Sequence, residues 1–234
     1  MDLAQSSADE HVGGAAARGS GSRFALTGLA FSGLFLVAWV LIRESPTYLA
    51  TDAELTSFYG DAGNRRNAEL AGLYVIPLAG IFFIWFMAAL RDRYHRIARR
   101  EHAMLSSVQV VAGALVVTSL FTVAAVELAV AWLADTSGTF DVDGVRSLLA
   151  VGEATSEIMA LRSAGVFILV STARARRAGF FSRPVAAASI LIAVTLLVVH
   201  QAVPGVTVLF PVWVAGVSLL ILLRRDAGIA IDEA

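Results

Sequence analysis

The chain has 234 residues, of which 57% are hydrophobic and 16% charged, and its formal net charge is −1. With a mean hydropathy of +0.73, it exceeds what a soluble domain can bury and points to a surface that meets lipid. Having no cysteine, it is excluded from disulfide, thiol-nucleophile and thiolate-metal chemistry, and its basic residues are all arginine, which excludes a Schiff-base lysine and a retinal chromophore held by one.

In chain order, residues 1–23 are small and polar and are expected to form a disordered cytoplasmic tail. Six apolar runs come next, each long enough for a hydrocarbon core of ~30 Å, which takes ~20 helical residues. They are Phe24–Ile42, Ala68–Leu90, Met104–Leu133, Leu148–Thr172, Pro184–Val203 and Val206–Leu223. The predicted fold is all-α: a polytopic bundle of six transmembrane helices over 24–225, with a short tail over 226–234. The first run lacks a small-x-small site after it and reads as an uncleaved span. The third is over-long and is expected to tilt. Pro77 should kink the second, Pro211 should mark the start of the sixth, and Val203-Pro204-Gly205 should turn the last two into a hairpin.

The connection over 43–66 carries Thr51 and Glu54 at capping-box spacing, ahead of Leu55, Phe58 and Tyr59 and with Gly60 as a stop. This predicts a short surface helix. Asp141-Val142-Asp143-Gly144 has too few ligand positions for a calcium loop, and Asp143 is expected to cap the fourth span.

Thirteen arginines fall on one side of this layout: Arg18, Arg23, Arg91, Arg93, Arg96, Arg99, Arg100, Arg174, Arg176, Arg177, Arg183, Arg224 and Arg225. Four fall on the other: Arg43, Arg65, Arg66 and Arg146. By the positive-inside rule both termini are cytoplasmic, as an even number of spans requires.

Chemistry, if present, lies within the spans. Glu157 falls roughly 4 Å and Glu153 roughly 10 Å outward of the midplane at ~1.5 Å per residue, with His200 near the Glu153 level. Glu127 and Glu69 fall near the outer interface, and Arg162 slightly inward of centre. The inner half reads as almost purely apolar, so an outward-facing pocket is expected, lined by Glu153, Glu157, Arg162, His200 and Glu127. An α-helical pitch rotates Arg162 about 140° from Glu157, so the two do not face each other squarely, but the arginine leans outward toward the glutamates' level and a partial pairing or a shared water is expected. No HExxH or ExxH spacing supports a metal at the glutamates and His200, and no cofactor or catalytic residue is indicated. Arg91, Arg93, Arg96, Arg99, Arg100, Arg174, Arg176 and Arg177 are candidates for anionic lipid headgroups. Nucleic acid is not an expected partner, since the basic clusters are short and no soluble domain accompanies them.

Phe83–Asp92 closes a span on a Leu-Arg boundary, and Val166-Phe167-Ile168-Leu169 runs into Arg174–Arg177. Gly179-Phe180-Phe181-Ser182-Arg183-Pro184 then opens an Ala-rich span. This pattern resembles uncharacterised six-span bacterial membrane proteins of actinobacterial type, grouped as a domain of unknown function. Their boundary usually reads Gly-x-Leu-Pro-Arg; here the last two are exchanged, as Arg183-Pro184. The resemblance implies the fold and a bacterial cytoplasmic membrane, and it assigns no catalytic residue.

The functional expectation is binding or passage of a small solute or proton through the outer pocket. The contrasting expectation is a non-transporting interaction or regulatory subunit whose intramembrane charges are structural. On this topology, single cysteines at Ser57 and Ser137 should react with an impermeant reagent in intact cells while one at Ser182 stays protected; the reverse pattern inverts the topology.

Overall fold

An apolar surrounding leaves the backbone no solvent to bond, so long apolar runs satisfy it internally as helices. The computed structural model describes residues 25–97, 103–136, 141–199, 203 and 205–232. Every regular element among them is helical. In chain order these are α1 (Ala25–Ile42), α2 (Asp52–Gly60), α3 (62–97), α4 (Ala103–Thr136), α5 (Val142–Arg177), α6 (Arg183–Val198) and α7 (Leu209–Asp232). A 3-10 turn, Val206–Val208, leads into α7. Five stretches are long and apolar enough to cross a membrane: Ala25–Ile42, Ala62–Tyr94, Ala103–Asp135, Val142–Arg177 and Val206–Leu223. The sixth, α6, has 16 residues, or roughly 24 Å, short of a ~30 Å core.

Several boundaries differ from expectation for identifiable reasons. Asp61 accepts from the Asn64 N–H and caps a new helix at once, so α3 starts at Ala62 and not at 68. Asp141, not Asp143, caps α5, because its carboxylate reaches the Gly144 N–H at 3.0 Å. Residues 226–232, within the expected short tail, are helical. In place of a simple kink at Pro77, α3 has a π-turn over Ala71–Val75, where the Ile76 N–H bonds back to the Ala71 carbonyl. A π-turn inserts one residue into the ladder and re-aims the helix beyond it, which accommodates the proline ring a turn later. A second π-turn, Thr155–Leu161, interrupts α5. The tail 1–23, His200 and Pro204 lie outside the described residues.

The main core centres on Phe83 of α3, wholly buried, whose ring lies 4.9 Å from Phe31 of α1 and 5.3 Å from both Phe167 of α5 and Phe210 of α7. One aromatic thus joins four helices, mostly edge to face, the arrangement aromatic quadrupoles favour. A second, smaller core lies at one end of the bundle, where α2 lays Leu55 and Tyr59 against Val126 and Val130 of α4 and Val145 and Leu149 of α5. This is the α2 end; the arginine-rich turns form the basic end. Large apolar side chains on the perimeter, among them Leu26, Trp85, Val111, Ile158 and Leu191, are more than half exposed, which suits lipid and not water.

The π-turn of α3 meets α4 at backbone distance: a Cβ on Gly72 falls 2.6 Å from the Ala124 carbonyl oxygen and 2.8 Å from the Leu128 nitrogen. Backbone cannot yield as a side chain does. Gly72→Val is therefore expected to cost about 1–3 kcal/mol or to prevent folding, while Gly33→Val, with open space around it, should unfold within a few degrees of the parent in a thermal scan in detergent.

Candidate functional site

The π-turn of α5 decides how its charges are arranged. Its hydrogen bonds run i to i+5, so residues five apart share a face. Glu157 and Arg162, which an α-helical pitch would separate, accordingly form an ion pair, with Arg162 Nη2 3.5 Å from Glu157 Oε1. The partial pairing expected from the outward lean of the arginine is present, and the local change of pitch brings the two groups onto one face. Arg162 also donates through Nη1 to the carbonyls of Leu196 at 2.8 Å and Val199 at 3.1 Å. These belong to the C-terminal end of α6, where the last carbonyls lack partners within the helix and the dipole is negative. Arg162 therefore caps α6, and the helix ends at Val198, not at 203.

Glu153 is engaged elsewhere. It accepts from the Tyr48 N–H at 3.0 Å, and Arg146, two turns earlier on α5, donates to the Tyr48 and Ala50 carbonyls at 2.7 and 2.6 Å and pairs with Asp52. Together they strap the segment before α2 onto α5. The capping box holds as expected: the Thr51 hydroxyl accepts from the Glu54 N–H, and Glu54 accepts from the Thr51 N–H at 2.7 Å. These bonds hold the Glu54 carboxyl below its ordinary range. The box accordingly supports α2 at neutral pH and weakens as pH falls through that lowered value. Glu127 of α4 is expected at the headgroups but lies 8% exposed beneath α2, because α2 and α3 cover this end of α4. Glu69 is exposed.

Glu153 thus meets the segment before α2, Glu157 meets Arg162, and Glu127 lies beneath α2. Each meets a different element, and His200 lies outside the described residues. A cavity of about 140 Å³ does lie toward the α2 end, between α1, α3, α4, α5 and the start of α7. Phe35, Trp39, Ile76, Leu120 and Phe210 give it an apolar wall, and Ser119, Ser156 and Thr207 supply hydroxyls. It touches Ser156 and Ala160 on the π-turn, the neighbours of Glu157, but α6 contributes nothing to its lining.

The basic end holds a buried polar cluster of its own. Arg174, counted among headgroup-facing arginines, is 3% exposed. It donates to the side-chain amide oxygen of Gln109 and lies over the Tyr94 ring at 4.9 Å; the Gln109 amide donates to the Ser171 hydroxyl at 2.7 Å, and the Tyr94 hydroxyl donates to the Ser171 backbone carbonyl at 3.2 Å. Arg93 lies over Phe180 at 4.9 Å, and Arg176 donates to the Phe181 carbonyl. The signal was present in the sequence: Arg174 falls three residues after Ser171 and seven after Phe167, on the inward face, whereas Arg177 falls outside it. Gln109, one polar amide in an apolar run, was its partner. The side chains of Arg96, Arg99 and Arg100 lie outside the described residues.

The fold and these sites define an all-helical protein with five membrane-length apolar helices and structurally engaged charges. Compared with protein-family models, curated proteins and solved structures, the chain matches none.

If Arg162 acts chiefly as the cap of α6, Arg162→Met should destabilise more than Glu157→Gln. It leaves two carbonyls without a donor at about 1–3 kcal/mol each, whereas Glu157→Gln removes the ion pair and leaves both carbonyls capped. The double variant should then be no more stable than Arg162→Met; recovery by the second substitution, read from thermal or denaturant unfolding in detergent, would show that the pair and not the cap dominates.

Proposed function

We propose that this protein is a six-span protein of the bacterial cytoplasmic membrane, with both termini inside, that binds a small lipophilic molecule in the outer half of its bundle without transforming it. The sixth span is α6, whose short length is made good by the Arg162 cap at its outer end. The orientation rests on the thirteen-to-four arginine asymmetry. The apolar cavity carries the functional reading. At about 140 Å³ it is comparable to cavities that stay dry and accept a single aromatic molecule, and its hydroxyls can orient one polar group of a guest.

A polar path for a solute finds less support. The glutamate and arginine nearest the cavity are paired with each other and with the end of α6, and the wall between them and the cavity is built of Ala160, Leu161 and Ala164. The contrasting reading, a non-transporting interaction or regulatory subunit, draws on the same engaged charges and differs in leaving the cavity unused.

Titrating the detergent-purified protein with a small brominated aromatic should quench Trp39 emission saturably. Ala160→Phe, which fills the cavity, should weaken that binding by about tenfold, or 1.4 kcal/mol, with the thermal midpoint held. Quenching that is linear, or equal in both proteins, removes the ligand-binding reading and leaves the interaction subunit.

A further inference from the structure

Glu127 is the buried acid that none of these roles uses. It lies at 8% exposure on α4, and its Oε2 has no hydrogen-bond partner among the described residues. Tyr59 of α2 is wholly buried opposite it, its hydroxyl facing the Ser45 side chain. The two groups sense each other: burial first, and the Glu127 charge second, push the Tyr59 phenol above its ordinary value, with Ser45 acting in the opposite sense.

The surroundings of Glu127 are tightly built. Gly72, in the π-turn of α3, abuts the α4 backbone at Ala124 and Leu128, one turn before Glu127 and immediately after it. Gly152 of α5 rests on Val126, its Cβ position 3.0 Å from a methyl group. Leu55 and Tyr59 cover Val126 and Val130 from above. The charged groups on these elements are committed elsewhere or exposed. On α2, Asp52 pairs with Arg146 and Glu54 serves the capping box. On α3, Arg65 donates to the Tyr59 and Gly60 carbonyls and pairs with Asp135, while Arg66 and Glu69 are exposed. On α5, Arg146 and Glu153 hold the strap, Glu157 pairs with Arg162, and Asp143 is exposed.

An ionised carboxylate in such a place is strongly disfavoured, and two responses remove the cost: it takes up a proton, or water reaches it. Lifting α2, which lies over this stretch of α4, admits water to the buried oxygen. We propose that Glu127 is a proton-binding site, neutral while α2 is seated over it and ionised when α2 lifts, so that the pH outside sets the position of α2. The proton comes from, and returns to, bulk water on that side. The proposal stands on different residues from the cavity and is independent of its occupant. It also differs in sign from the capping box, which loosens α2 toward acid, whereas ionisation of Glu127 loosens it toward alkali.

Two readouts on the full-length protein in lipid vesicles test it. Infrared spectra should contain the carbonyl stretch of an un-ionised buried carboxyl that fades as pH rises, is lost in Glu127→Gln and is displaced in Glu127→Asp. Hydrogen exchange of the α2 amides, corrected for intrinsic rates, should quicken by about tenfold from roughly pH 5 to pH 9 in the parent and stay level in Glu127→Gln. The proposal is overturned by a parent protein with no such titrating band, by a band that survives Glu127→Gln unchanged, or by α2 exchange that does not depend on pH. The exchange measurement needs no variant, so a misfolded Glu127→Gln protein does not shelter the idea.

Discussion

The termination of α6 by an arginine from the neighbouring helix is the contact on which the rest of the bundle depends. A helix that ends among apolar side chains leaves carbonyls that no water can reach, and only a donor brought by the protein can satisfy them. Arg162 is that donor, and it reaches the Leu196 and Val199 carbonyls from α5. Because α5 and α6 also pack closely, with Gly165 against Leu197 and the Ala193 carbonyl, the cap fixes both where α6 ends and how it lies against its neighbour. Glu157 then balances the guanidinium on its other side.

That arrangement needs α5 to be irregular. A uniform α-helix puts Glu157 and Arg162 on different faces; a π-turn puts them on one. The same departure in α3 brings Gly72 onto the backbone of α4. The two irregular turns flank α4 toward the same end of the bundle, which is also the end that holds the cavity, the strap from Arg146 and Glu153, and the covered Glu127. Regular helix and an aromatic core centred on Phe83 make up much of the remainder.

Much of the architecture was legible because it derives from rules local in sequence. Run length gave the helices, and Thr51 with Glu54 gave α2 and its cap. What escaped was non-local or depended on pitch. No spacing rule announces a π-turn, so the Glu157–Arg162 pair was legible only as a partial one. Asp61 read as loop, although it starts a helix one residue after the last one ends. Arg174 read as one more basic topology signal, since its burial depends on Gln109 and Tyr94, which are 65 and 80 positions away in the chain. Glu127 read as interfacial because depth along one helix says nothing about what another helix lays over it.

The brevity of α6 bears on the lipid as well as on the protein. A span about a turn or more shorter than the hydrocarbon it crosses must be met by thinning of the surrounding bilayer, at a fraction of a kcal/mol per ångström of mismatch. On the proposed six-span reading, a guanidinium recessed to the end of α6 would draw the headgroup region inward on that flank. A protein so built would form a one-sided dimple in the membrane, at lowest elastic cost where the bilayer is thin and increasingly costly as the acyl chains lengthen.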